Sequence, residues 1–116
     1  MIGIEDRDGV LVLTLRRPEK ANSLTRAMLE DLDSAVAATR AAAVILTGEG
    51  KVFSAGADLD EARAGLATDP VWDRLSNHIA GLPCLTIAAL NGTLAGGAMG
   101  MVLACDLRLA VPSAKF

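Results

Sequence analysis

The chain has 116 residues, 52% of them hydrophobic and only 3% aromatic, with a net charge of −3 and no tyrosine. That is enough for one domain with a modest core. The absence of a lysine or arginine block, together with the scarcity of aromatic rings, argues against nucleic acid as a partner.

The first run, IGIEDRDGVLVLTLRRP (residues 2–18), predicts a β-hairpin turning at Asp6-Arg7-Asp8-Gly9, where Gly9 supplies the positive φ of such loops. Arg17-Pro18 ends the second strand. SLTRAMLEDLDSAVAATRAA (residues 23–42) predicts a helix, with Leu24, Met28, Leu32, Ala35 and Val36 at helical spacing and Ser23 or Thr25 as N-cap. AVILTG (residues 43–48) reads as a short buried strand ending at a glycine turn. AGADLDEARAG opens a helix with Asp58 near its first turn, and DPVWDRLSNHIAGL forms another, with Pro70 at its first helical position. LTIAAL (residues 85–90) is a strand, Asn91-Gly92 a turn, AGGAMGMVLAC a helix with Gly96-Gly97 in its first turn, and DLRLAV a last strand. Helices alternating with strands favour parallel pairing and an α/β class.

Cys84 and Cys105 lie in apolar surroundings without metal-ligand or CxxC spacing, so both read as small buried hydrophobes of a reducing compartment. His78 is the single histidine and reads as a helix-surface or core residue; no metal site is expected. The amino terminus, MIGIEDRDGV, has acidic residues and no apolar signal core, so a cytoplasmic protein is expected.

LNGTLAGGAMGMVLACD (residues 90–106) combines greasy side chains with four glycines, each costing an element interior about 1 kcal/mol against alanine. Leu82 to Cys105 is long enough to span a bilayer, and Gly96 to Gly100 fits GxxxG. The Asn91-Gly92 turn, the strand-forming run before it and the unbiased flanks argue against a membrane helix. GEGK (residues 48–51) lacks the spacing of a phosphate loop and is followed by valine. The remaining reading is a strand, a tight turn and a helix whose unpaired first N–H groups favour an oxyanion. FSAGADLDE (residues 53–61) is a second such passage, and stabilising a developing charge needs donors from two segments. Plain tight packing is the alternative for either loop alone.

RRPEKANSL (residues 16–24), VFSAGADLDE (residues 52–61) and PCLTIAALNGTLAGGAMGMVLACDLRLA (residues 83–110), in that order, resemble successive signatures of the crotonase, or enoyl-CoA hydratase/isomerase, family. The resemblance covers nearly the whole chain. It implies a spiral of ββα units, here truncated, with residues 1–116 forming the N-terminal part of an acyl-CoA-binding domain. It also implies that the backbone N–H groups of Ala57 and Gly97 hold a thioester oxygen as it becomes an enolate, with Gly96 making room for it. Lys20 and Ala21 match positions that contact the pantetheine and phosphate-bearing portion of coenzyme A, although Lys20 also reads as a solvated loop lysine. Ala55, Asp58 and Leu59 resemble residues around the adenine; Asp60 and Glu61 read as acids at a helix N-terminus. Coenzyme A belongs to the substrate, and no separate cofactor is expected.

Two departures stand out. The family's hydratases use two glutamates, and the position of the first is Gly100, which has no proton to give or take. The second would follow SAKF (residues 113–116). Family members are longer, and their remaining part carries more of the spiral and the helices that build trimers or hexamers. Gly100 favours isomerisation, or another enolate reaction with one base, over two-glutamate hydration. The alternative is a non-catalytic acyl-CoA-binding or partner module.

Overall fold

A computed structural model describes all 116 residues. Strands β1 (Ile2–Arg7) and β2 (Val10–Leu15) form the expected antiparallel hairpin, with Ile2 opposite Leu15 and Arg7 opposite Val10. The turn is tighter than the four residues predicted: Asp8 (φ 51°) and Gly9 (φ 84°) alone make it, both in the left-handed region that suits a two-residue hairpin. After a single 3-10 turn at Pro18–Lys20, helix α1 runs from Arg26 to Ala38. Thr25, not Ser23, is its N-cap, its hydroxyl accepting from Met28 N–H at 3.1 Å.

Strand β3 (Ala43–Gly48) pairs parallel with β2, as the αβ alternation requires. The short strand β4 (Val52–Ser54) follows, then helix α2 (Leu59–Arg63), a 3-10 turn at Leu66–Thr68 and helix α3 (Val71–Ala80). Pro70 stands at the N-cap of α3, one residue before the position predicted. Strand β5 (Leu85–Leu90) joins β3 in parallel; strand β6 (Thr93–Leu94), helix α4 (Ala98–Leu103) and strand β7 (Leu107–Ala110) complete the order. Gly96-Gly97 lies just before α4 and not in its first turn: Gly96 has a φ of 62°, which no helical residue adopts, and Gly97 is the N-cap.

The main sheet has the order β1-β2-β3-β5-β7, antiparallel only at the hairpin. A second, two-stranded sheet pairs β4 with β6. Each of β3-β4 and β5-β6 is thus a long strand followed by a short one in a different sheet, then helix: a ββα unit. The composition of β4 and β6 hides them from a periodicity reading, because two or three residues cannot show alternation.

The parallel register lines up Leu13, Leu46 and Ala88 across one face, and Leu11, Val44 and Thr86 beside them, all buried. On that face lie Leu29, Leu32 and Val36 of α1, Leu75 and Ile79 of α3, and Met101 of α4, within one core of 22 buried residues. Each fully buried leucine of this core contributes about 2 kcal/mol. A charged clamp joins α1 to α3: buried Asp33 accepts from Arg74 Nε at 3.1 Å and contacts His78 Nδ1 at 2.6 Å, while Arg74 also grips Glu30 at 2.8 Å.

No helix is long and apolar enough to cross a membrane. Leu82 to Cys105, long enough to span one on paper, is broken into β5, a turn, β6 and α4. Gly92 serves a close approach within that break: a Cβ there would fall 1.9 Å from the Lys51 carbonyl oxygen. Cys105 is buried and Cys84 half-buried, both as free thiols.

Candidate functional site

The site begins where the chain leaves β4. Ser54 is fully buried, and its hydroxyl donates to the Asn22 carbonyl at 2.8 Å while accepting from Gly56 N–H at 3.1 Å. Gly56, at φ 100°, turns the chain outward. Leu24 then brackets the next residue: its N–H donates to the Gly56 carbonyl and its carbonyl accepts from Asp58 N–H, each at 2.8 Å. Ala57 lies between these two bonds, half-buried, and its own N–H donates to no protein acceptor.

A matching passage follows β6. Ala95 N–H donates to the Ser54 carbonyl at 3.0 Å, tying the second loop to the first. Gly96 turns the chain and Gly97 caps α4, with an N–H that likewise finds no protein acceptor. The two turning glycines pack against each other: a Cβ on Gly56 would meet Gly96 Cα at 3.2 Å, and one on Gly96 would meet Gly56 Cα at 3.3 Å. On the other side Gly97 abuts the Trp72 ring, which a Cβ would approach to 3.1 Å. Trp72 is held in turn by its indole N–H, donated to the Leu66 carbonyl at 2.8 Å.

Ala57 and Gly97 therefore face one cavity of about 380 Å³, shared with Trp72, Asp73, Ser76 and Gly100. A second cavity of about 510 Å³ carries Lys20, Ala55, Asp58, Leu59 and Arg63 on its walls. Ala57 lines both, so the two hollows meet at the residue predicted to supply one donor. One hollow is thus walled by charged, exposed residues and the other by Ala57, Gly97 and the α3 face.

The predicted residues divide into those that line these cavities and those that shape them. Lys20, Ala55, Ala57, Asp58, Leu59 and Gly97 line them. Lys20 is exposed and makes no ion pair. Ala21 lines neither; at φ 51° it ends the 3-10 turn, and its carbonyl accepts from Ala55 N–H at 3.0 Å. Gly96 also shapes rather than lines. Asp58 has structural work besides: it caps α2 by accepting from Glu61 N–H at 3.1 Å and pairs with Arg17 at 2.9 Å. The Glu61 amide first, and then the Arg17 guanidinium, hold its carboxyl below the usual carboxylate range. Asp60 and Glu61 stand in the first turn of α2, where acids suit the helix dipole. No three His, Cys, Asp or Glu side chains converge as metal ligands.

Sequence reasoning missed two groups of residues. Asn22 is fully buried at φ 51°, and its side chain stitches three segments: it accepts from Arg17 N–H at 2.8 Å and donates to the Glu49 and Val52 carbonyls at 2.9 and 2.8 Å. An asparagine in a polar link carries no signal for that. Trp72, Asp73 and Ser76 stand in a run that predicts only a helix; their spacing on one face of α3 is the available signal.

A succession of ββα units of this kind is the crotonase fold. An enoyl-CoA hydratase of Bacillus anthracis of known structure superposes on the chain with a TM-score of 0.82 and 37% identity, over 97% of this chain and 48% of its own. The probable enoyl-CoA hydratase echA6 of Mycobacterium leprae is 36% identical over 100% of this chain and 50% of its own length. The 4-chlorobenzoyl coenzyme A dehalogenase-1 of an Arthrobacter species is 35% identical over 99% of this chain and 46% of its own. The family model for enoyl-CoA hydratase/isomerase matches residues 5–116, and the chain belongs to that family. It spans about half the length of the curated relatives it matches.

Proposed function

We propose that this chain binds an acyl-CoA thioester and stabilises the oxygen of its enolate with the backbone N–H groups of Ala57 and Gly97. The observation that supports this reading is that Ala57 and Gly97, from separate ββα units, line one cavity, and that neither backbone N–H has a protein acceptor. Fixed donors without a counter-ion suit charge that grows on a carbonyl oxygen, and one such donor contributes about 3 kcal/mol to a transition state. In this reading the nucleotide portion lies in the cavity beside Lys20, Ala55, Asp58 and Leu59, and the acyl portion passes Ala57 toward Trp72 and Gly100. Coenzyme A is then part of the substrate.

The second reading is binding of acyl-CoA without turnover: the resemblance implies a carboxylate at residue 100, and Gly100 has no proton to give or take. Assembly as a trimer or hexamer and a cytoplasmic setting belong to the same proposal; two free thiols suit a reducing compartment.

The test is carbonyl polarisation. Acyl-CoA labelled with carbon-13 at the thioester carbonyl is added to the full-length polypeptide, and its resonance is expected to move downfield on binding. Gly97→Val pushes a side chain into the Trp72 ring and is expected to abolish that shift. A shift of native size in this variant, in protein shown to be folded, would refute the assignment.

A further inference from the structure

We propose that Asp73 is the catalytic base of this site, taking a proton from the carbon next to the thioester carbonyl. The inference rests on the acyl-CoA reading and goes beyond it, since nothing in that reading supplies a base.

Two titratable side chains face the cavity that holds the Ala57 and Gly97 donors: Asp69 and Asp73. Asp69 is already engaged. It pairs with Arg26 and accepts from Val71 N–H at 2.8 Å, and the Arg26 guanidinium first, then that amide, keep its carboxyl below the usual carboxylate range. A carboxylate so neutralised is a poor proton acceptor. Asp73 is exposed and has neither ion pair nor side-chain hydrogen bond.

Helix geometry places Asp73 over the reacting region. Trp72, its neighbour, abuts Gly97. Ser76, three residues on and so on the same face of α3, abuts Gly100: a Cβ at that glycine would lie 3.4 Å from the Ser76 hydroxyl. A side chain at residue 100 would thus project into the cavity from the α4 wall. Gly100 leaves that space open, and Asp73 borders it from the α3 wall. The α3 backbone is held by the Arg74 and His78 contacts with Asp33, so the base is carried on a fixed element.

The chemistry balances without a further reactant. The α-carbon to hydrogen bond breaks, and the proton goes to an Asp73 oxygen. The bonding electrons form the carbon–carbon double bond of the enolate, while the carbonyl electron pair moves to the thioester oxygen held by Ala57 and Gly97. Return of the proton to the same carbon gives exchange with solvent. Return to the γ-carbon of an unsaturated acyl chain gives double-bond isomerisation.

The experiment follows hydrogen–deuterium exchange at the α-carbon of butyryl-CoA in D₂O by proton NMR, with binding measured in parallel by calorimetry, in the full-length polypeptide. Asp73→Asn is expected to lower the exchange rate at least 10²-fold with affinity unchanged, and Asp73→Glu to restore part of it. Because Asp73 is exposed and unpaired, both variants are expected to melt like the native protein. Native-rate exchange in Asp73→Asn overturns this proposal, and so does loss of binding in step with loss of exchange, which would make Asp73 a binding group. A native protein that binds butyryl-CoA without exchange overturns the base and leaves the binding reading standing. One that binds no acyl-CoA overturns both.

Discussion

Replacing Asn22 with alanine tests how the Ala57 loop is held. The substitution removes three hydrogen bonds of 2.8 to 2.9 Å. Their consequences are unequal. The Glu49 carbonyl lies at an exposed turn and regains water, and the Val52 carbonyl keeps a second donor, Asn91 Nδ2 at 3.1 Å. Arg17 N–H is left half-buried with no acceptor, which costs about 2 kcal/mol. The left-handed backbone at φ 51° suits asparagine better than alanine, adding roughly 0.5–1 kcal/mol. The sum is about 3 kcal/mol, read as the change in unfolding free energy from urea titration. Acyl-CoA affinity is expected to fall as well, because the Ser54 hydroxyl, which holds Gly56 N–H, is fastened to the Asn22 carbonyl. Asn91→Ala, which shares the Val52 carbonyl, is expected to combine with it non-additively. A loss below about 1 kcal/mol in Asn22→Ala would refute this account of the loop.

The two other glycines of the apolar run give opposite expectations. Gly92→Ala drives a Cβ onto the Lys51 carbonyl at 1.9 Å and is expected to cost more than about 3 kcal/mol. Gly100→Ala meets only an ordinary contact on a helix and is expected to stabilise by about 0.5–1 kcal/mol; thermal melts of both variants decide. Asp58 and Asp69 have folded pKa values held below the unfolded ones, so the stability they supply is complete above about pH 4 and falls as the pH drops through the folded values. Melting temperatures of Asp58→Asn/Asp69→Asn are therefore expected to vary less than native between pH 5 and pH 2; an equal slope would remove these carboxylates from the acid limb. Burial pushes the Cys105 thiol up to about 11, so it is expected to resist alkylation at pH 8 until the protein is unfolded, as mass spectrometry of the labelled peptide would show.

The long elements were legible because their signals are periodic and local. The hairpin, α1, β3, α3 and β5 follow from alternation, helical spacing and glycine or proline punctuation. What escaped was set by neighbours distant in sequence. Thr25 caps α1 while Ser23 does not, because Ser23 is drawn to Arg17, whose Nη1 donates to its hydroxyl at 3.1 Å. Strands β4 and β6 exist because each finds the other across forty residues of chain. The Ala57 and Gly97 loops, and their neighbourhood in space, were readable from small residues at two strand-to-helix passages, with a family resemblance to join them. The cavity position of Asp73 was not, since it depends on α3 lying against α4.

The mutual packing of Gly56 and Gly96 sets the spacing of the Ala57 and Gly97 loops by backbone touching backbone. No side chain stands between the two glycines, so their separation is a property of the main chain alone. On the acyl-CoA reading proposed above, exchanges at Asp73, Ser76 and Gly100 would alter what happens to the carbon atoms while the oxygen is gripped as before, whereas Trp72 also backs Gly97. On that reading the scaffold separates two kinds of inheritance: the hold on the ligand resides in main-chain geometry, and the choice of reaction in a few replaceable side chains.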